Sequence, residues 1–287
     1  MIGVDLIETI IENTILTAYL KRGPAGDEHT VNLLIVGNTG TGKSRLISQF
    51  SNVPRIKVAA EITFAALMNR FGLDLINGNL NHLFFSDLAP MVHKGSLGAT
   101  LHEMSLFSQL IEEGISDWQT MGGRGFHSPA TLQCGIIACA TIDTYEHQLV
   151  PLSKTNGFLS RFLVVSYRHS EVLQRQIRTA IHQSVSMNHQ RAGLRIPIGK
   201  VEVQLPEAIS RSLSRPLDST IPRGPKNPSL VDRALGMGDT YGYRTQSQLR
   251  NLLKANALRN HRFTVEDEDY LELVQMGNFF GPDMAEL

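Results

Sequence analysis

The chain has 287 residues, 42% hydrophobic and 19% charged, with no net charge at pH 7. That is enough apolar content for one large or two smaller cores, and no apolar run reaches the ~20 residues that a transmembrane helix demands. Cys134 and Cys139 lie in or beside an apolar run, which points to packing and not to a disulfide; the histidines show no zinc spacing, and Met-Ile-Gly-Val-Asp at the N-terminus is no basic leader, so a cytoplasmic protein without membrane attachment is expected.

In chain order, residues 4–20 carry Leu6, Ile7, Ile10, Ile11, Ile15, Leu16, Tyr19 and Leu20 at helical spacing, with Asp5, Glu8, Glu12 and Asn13 on the other face. A loop follows at 21–28. Val31 to Val36 reads as a strand, and the residues from Arg45 to Phe50 as a helix. Further strands are expected at 55–60, 80–87, 132–141 and 162–166, and helices at 61–71 and 99–113. Strands alternating with helices predict an α/β fold with a parallel sheet sandwiched by helices, whose function gathers at the carboxyl ends of the strands. Residues 211–243, rich in Pro, Gly, Ser and Arg, read as a linker or mobile loop, and 244–279 as helical. The expected organisation is an N-terminal helix and loop (1–30), a nucleotide-binding core (31–170), a connecting region with a helix, a short strand and a basic linker (171–243), and a small helical lid with an acidic tail (244–287).

Charge is unevenly spread along this plan. Residues 1–149 carry nine basic and fourteen acidic side chains (−5), residues 150–262 eighteen and six (+12), and residues 263–287 none and seven (−7). A basic middle between acidic ends suits either a polyanion-binding face or complementary faces between subunits.

The sharpest motif is Gly37-Asn38-Thr39-Gly40-Thr41-Gly42-Lys43-Ser44, directly after the first strand. It fits G-x-x-x-x-G-K-[ST], in which glycines let backbone N–H groups wrap a phosphate chain and the lysine meets the β- and γ-phosphates. The Ser44 hydroxyl is then a Mg²⁺ ligand. The helix beginning at Arg45 turns its N-terminus toward the anion. Asp87 ends an apolar strand and is a candidate second Mg²⁺ residue; the alternative is an aspartate capping the next turn. Thr141 ends the strand Gly135–Thr141, where it can touch the γ-phosphate or be an ordinary strand-end threonine. Arg161 precedes another buried strand. The expected ligand is ATP with Mg²⁺.

Four blocks together resemble the AAA+ ATPases, in the branch that holds the MCM replicative helicases, the MoxR-type ATPases and the magnesium-chelatase ATPase subunits. They are the glycine-rich loop, Leu110-Ile-Glu-Glu-Gly-Ile-Ser116, Phe158-Leu-Ser-Arg-Phe162, and the run from Arg244 through Asp269. The resemblance spans about residues 31–279. It implies that Thr141 takes the sensor-1 position, that Arg161 is an arginine finger reaching a neighbouring subunit's nucleotide, and that Arg244 is the sensor-2 arginine of the lid. Lys43, Asp87, Thr141, Arg161 and Arg244 thus form the expected catalytic set of an ATP hydrolase. It also implies a homo-oligomeric, hexameric ring. The chain departs from the family pattern at Leu88, which stands where a glutamate orients the attacking water, at Thr141 in place of asparagine, and in the short interval between the second and third strands. Glu103, Glu112 and Glu113 are the nearby candidates for the missing carboxylate.

Residues 114–129 read as a hairpin whose turn, Met121-Gly-Gly-Arg-Gly-Phe-His127, exposes Arg124, Phe126 and His127 at its tip. In the resembled branch this hairpin faces the pore of the ring. Arg, Phe and His suit phosphate contact and base stacking on single-stranded DNA, and they also suit gripping a polypeptide. Three functions follow: a DNA motor, helicase core or loader; a MoxR-like ATPase that remodels a partner protein; or an ATP-gated assembly switch with weak hydrolysis, which the absent glutamate favours.

Overall fold

The computed structural model describes residues 4–21, 30–60, 62–92, 96–119, 125–182, 193–217, 220, 227–235, 242–283 and 285–286. The first half contains α1 (Asp5–Thr17), β1 (Asn32–Gly37), α2 (Lys43–Ser48), β2 (Ile56–Ala59), α3 (Phe64–Ile76), β3 (His82–Phe85), α4 (Ala89–Val92), α5 (Leu97–Ile111), β4 (Ile115–Gln119), β5 (Gly125–Leu132) and β6 (Gly135–Thr141). It continues with α6 (Ile142–Thr144), a π-helical turn (Tyr145–Leu149), α7 (Val150–Asn156), a 3₁₀ turn (Phe158–Arg161), β7 (Phe162–Arg168) and α8 (Glu171–His182). The C-terminal part holds α9 (Glu207–Ser212), α10 (Leu230–Ala234), α11 (Tyr243–Arg259), α12 (Asp267–Met276) and the two-residue β8 (Ala285–Glu286).

Every residue of β1 is buried. Successive strand side chains point to opposite faces, so such a strand needs an apolar layer on each side. It has both. Leu33 and Ile35, with Ile137 and Cys139 of β6 and Leu163, Val165 and Tyr167 of β7, join one core with α1, α2, α11 and α12. Leu34 and Val36, with Ile136, Ala138 and Ala140 of β6 and Val164 of β7, join a second core with α3 and α5. The parallel sheet has the order β2-β3-β6-β1-β7, with β8 added parallel beside β7. The α/β sheet flanked by helices is therefore as expected. Among the described residues no helix is long and apolar enough to cross a membrane.

Several boundaries differ from the sequence reading. The helix expected from Glu61 starts at Phe64, because the Thr63 side chain accepts from the Ala66 amide and caps it. The strand expected at 132–141 is split: Leu132 ends β5, and β6 begins at Gly135. Within the expected linker 211–243, α10 is held by a Ser229–Asp232 capping box and buries Leu230, Val231 and Ala234. Phe126 and His127, expected in the turn, stand on β5 opposite Trp118 and Asp117; Arg124, with the rest of 120–124, lies outside the described residues. On the polar face of α1, Glu8, Glu12 and Asn13 are all buried. Two of them meet the C-terminal helices: Asn13 Nδ2 donates to Asn256 Oδ1 at 3.0 Å and Arg259 sits 3.8 Å from Glu12. The C-terminal helices and α1 thus share one core with the sheet.

Candidate functional site

At the carboxyl edge of the sheet, β1 runs into the glycine-rich loop. A Cβ at Gly37 would stand 3.0 Å from the Tyr167 carbonyl oxygen and 3.2 Å from Thr41 Oγ1, so a side chain there would press on the backbone of β7. Gly40 and Gly42 adopt φ of 81° and 80°, the left-handed region that favours glycine. Gly42 is the N-cap of α2, a helix of six residues. Lys43 is buried, and its ammonium donates to the carbonyls of Gly37 (2.8 Å) and Asn38 (2.7 Å). Burial lowers its pKa, and nearby negative groups, Asp87 among them, pull the other way. Tyr167 braces the loop from β7 through a 3.2 Å hydrogen bond from its hydroxyl to the Thr41 carbonyl.

Residues from neighbouring strands complete a cavity of about 360 Å³. Thr39, Gly40, Gly42, Lys43, Ser44 and Arg45 line it on one side, and Ser86, Asp87, Cys139, Ala140 and Thr141 on the other. Ser44 Oγ donates to the Ser86 carbonyl at 3.3 Å, which aims the hydroxyl at the end of β3. Asp87 Oδ1 accepts from the Ala89 amide at 3.0 Å, so this aspartate does cap the next turn while also lining the cavity. Thr141 likewise has two roles: its hydroxyl accepts from the Thr144 amide at 3.1 Å as the N-cap of α6, and it lines the same cavity. Among the described residues no group of three or more His, Cys, Asp or Glu is placed to hold a metal alone. Mg²⁺ keeps several waters and takes one or two protein oxygens beside phosphate oxygens; the Ser44 hydroxyl and the Asp87 carboxylate, both lining the cavity, are oxygens of that kind.

Besides Asp87, no carboxylate is among the described residues that line this cavity. Leu88 is fully buried in the second core, and its amide donates to the Cys139 carbonyl at 2.9 Å. Of the substitutes considered, Glu103 accepts from the Phe64 amide at 2.7 Å, Glu113 is exposed, and Glu112 lies elsewhere; none lines the cavity.

Arg161 and Arg244 are at the other edge. Arg161 directly precedes Phe162, the register partner of Asn32, whereas Gly37 pairs with Tyr167. The two edges are about 17 Å apart along β1, taking about 3.3 Å per residue over its length. There Arg161 Nε lies 2.6 Å from Glu112 Oε2, and its Nη1 donates to the Gly157 carbonyl at 2.8 Å. Arg244 Nε donates to Glu112 Oε1 at 2.8 Å, and its Nη1 to Ser160 Oγ at 2.8 Å. The Arg161 carbonyl accepts from Asn32 Nδ2 (3.2 Å) and Gln248 Nε2 (2.9 Å), which ties the turn to β1 and α11. A cavity of about 490 Å³ opens here, lined by Asn32, Glu112, Arg161, Tyr243, Arg244 and Arg250 among others.

No family model matches the chain, and no curated protein matches it.

The structure thus brings Lys43, Ser44, Asp87 and Thr141 together and separates them from Arg161 and Arg244, which it joins to each other. On the hairpin, His127 is exposed and pairs with Asp117 at 2.5 Å, which sets a carboxylate beside one of the expected nucleic-acid residues. Sequence reasoning missed the bridging position of Glu112. One signal was present: Glu112 and Glu113 follow directly on the C-terminus of α5, where the helix dipole disfavours a carboxylate unless cations stand by.

Proposed function

We propose that the chain binds ATP·Mg²⁺ at the Gly37–Ser44 loop as an AAA+ ATPase module. Its copies assemble into a ring, and Arg161 of one copy meets the nucleotide of the next. One observation carries this reading: Lys43, Ser44, Asp87 and Thr141 line a single cavity at the carboxyl ends of β1, β3 and β6. Parallel α/β sheets bind ligands at that edge, where successive connections leave a strand in opposite directions. Here β1 lies between β6 and β7, with β2 beyond β6. Lys43 would hold the β- and γ-phosphates, the loop amides the rest of the chain, and Ser44 and Asp87 the metal. Arg161 is too far along the sheet to serve the loop of its own chain, which supports a role between copies.

The ring's substrate in this reading is DNA, supported by the +12 charge of residues 150–262 and by the β4–β5 hairpin. A second reading, an ATP-gated assembly switch with slow turnover, is favoured by the burial of Leu88 and by the lack of another carboxylate beside Asp87 among the described residues that line the cavity.

The test is binding of a fluorescent ATP analogue with and without Mg²⁺, and turnover alone, with single- or double-stranded DNA, and with added partner protein. Saturable Mg²⁺-dependent binding with DNA-stimulated turnover supports the motor. Binding with ATP-dependent assembly and negligible turnover moves the assignment to the switch, and stimulation only by a protein moves it to a remodelling ATPase. Absence of nucleotide binding by folded protein overturns all three.

A further inference from the structure

Two guanidinium groups drawn from distant parts of the chain do not approach one another unaided, because like charges repel. Arg161 comes from the 3₁₀ turn before β7 and Arg244 from the first turn of α11. Glu112, at the end of α5, gives one carboxylate oxygen to each: Oε2 to Arg161 and Oε1 to Arg244. A second acceptor fixes the orientation of each guanidinium, the Gly157 carbonyl for Arg161 and Ser160 Oγ for Arg244. Ser160 is itself one residue from Arg161, so the two arginines share both their bridge and their turn. A guanidinium has five N–H donors. The contacts described engage two nitrogens of Arg161 and three of Arg244, which leaves donors on both for an anion entering the 490 Å³ cavity.

We infer that Glu112 is the positioning residue for this pair, holding Arg161 and Arg244 as one forked cationic face for the terminal phosphate of ATP bound to a second copy. The inference rests on the proposed association between copies. The side chains of Glu112, Arg161 and Arg244 are 26%, 17% and 36% exposed, so the cluster is partly open to the cavity that it lines. What the carboxylate supplies is geometry: two bonds to one rigid group fix the spacing of the two cations. Its single negative charge also leaves the cluster net positive, so a phosphate is still attracted.

The experiment compares wild type, Glu112→Gln, Glu112→Asp and Arg161→Ala. Each is measured for thermal unfolding, for affinity of a fluorescent ATP analogue, for ATP-dependent self-association by sedimentation, and for turnover as a function of ATP and protein concentration. The expected result is that Glu112→Gln unfolds like wild type and binds ATP within about twofold of it, since its own loop is at the other edge. It should lose tenfold or more of kcat at unchanged KM, or of ATP-dependent association if wild type turns over too slowly to measure. Glu112→Asp, which keeps the charge on a shorter arm, should recover part of that loss. If Arg161→Ala abolishes assembly or turnover and Glu112→Gln matches wild type, the role of Glu112 is overturned while the association reading stands. If Arg161→Ala also behaves as wild type, both fall. If Glu112→Gln unfolds or loses ATP affinity, Glu112 is a structural residue and the inference fails.

Discussion

Asn13 on α1 donates to Asn256 on α11 at 3.0 Å, across 243 residues of sequence, and both side chains are fully buried. Asn256 also donates to Glu272 Oε2 at 2.8 Å and accepts from Arg259 Nη2 at 3.1 Å. The network closes α1 against both C-terminal helices. Asn256→Leu keeps the branched shape and strands these partners, and a buried polar group left without its bond costs about 1–3 kcal/mol. Urea unfolding should therefore show a loss of about 2 kcal/mol or more. A double-mutant cycle with Asn13→Leu should show coupling between the two, since they share the network.

Lys43→Ala should leave the fold intact, because the hydrogen bonds described for the ammonium are to its own loop. The same change removes the charge that the proposed function assigns to the phosphates. Affinity for the ATP analogue should drop about tenfold or more, equivalent to about 1.4 kcal/mol at the least, while circular dichroism stays as in wild type. Asp87→Asn should weaken binding mainly when Mg²⁺ is present.

Leu88→Glu would give the Asp-Glu pair of the resembled ATPases on paper but not in space. The position is fully buried among apolar side chains of the second core. A carboxylate there has no water, so the substitution should cost about 3 kcal/mol or more of stability and add no turnover. Denaturant unfolding and ATPase assays on the same preparation check both halves.

The contrast between Leu88 and Asp87 marks how far the sequence was readable. The glycine-rich loop, the alternation of strands and helices, and the polar strand ends Asp87 and Thr141 are local patterns, and the structure gathers those residues in one cavity. That Arg161 precedes a strand was legible, but the pairing of Phe162 with Asn32, which sets Arg161 at the opposite edge from Gly37, follows from sheet register, which no local pattern encodes. Helical spacing sets Glu8, Glu12 and Asn13 on one face of α1, and only the distant Asn256 and Arg259 show how Glu12 and Asn13 are covered. The Ser229–Asp232 capping box, by contrast, was visible in a stretch set aside for its Pro and Gly content.

His82 supplies a pH signature. It stands on β3 opposite Gly135, fully buried, and burial holds its pKa down to about 3. The unfolded chain takes up the proton near pH 6.5 while the folded one does not. Stability is therefore full above that pH and falls as pH drops from there toward 3. Between pH 6.5 and 5, before most carboxylates titrate, the loss should be about 1.5 kcal/mol. His82→Leu should flatten the profile over that interval. Gly135→Ala should be destabilising at every pH, since its Cβ would stand 2.6 Å from the imidazole Cδ2.

The burial of α1 also decides how this protein can be dissected. A fragment starting at residue 31, where the nucleotide-binding core begins on the sequence plan, would strip Ile7, Ile10, Ile11 and Ile15 from the layer shared by β1, β7 and α11. It would uncover Asn256 and Arg259 at the same stroke. Such a fragment should be recovered from expression as aggregate. A limited-proteolysis core should retain α1 together with α11 and α12, so the smallest autonomous piece includes both ends of this fold.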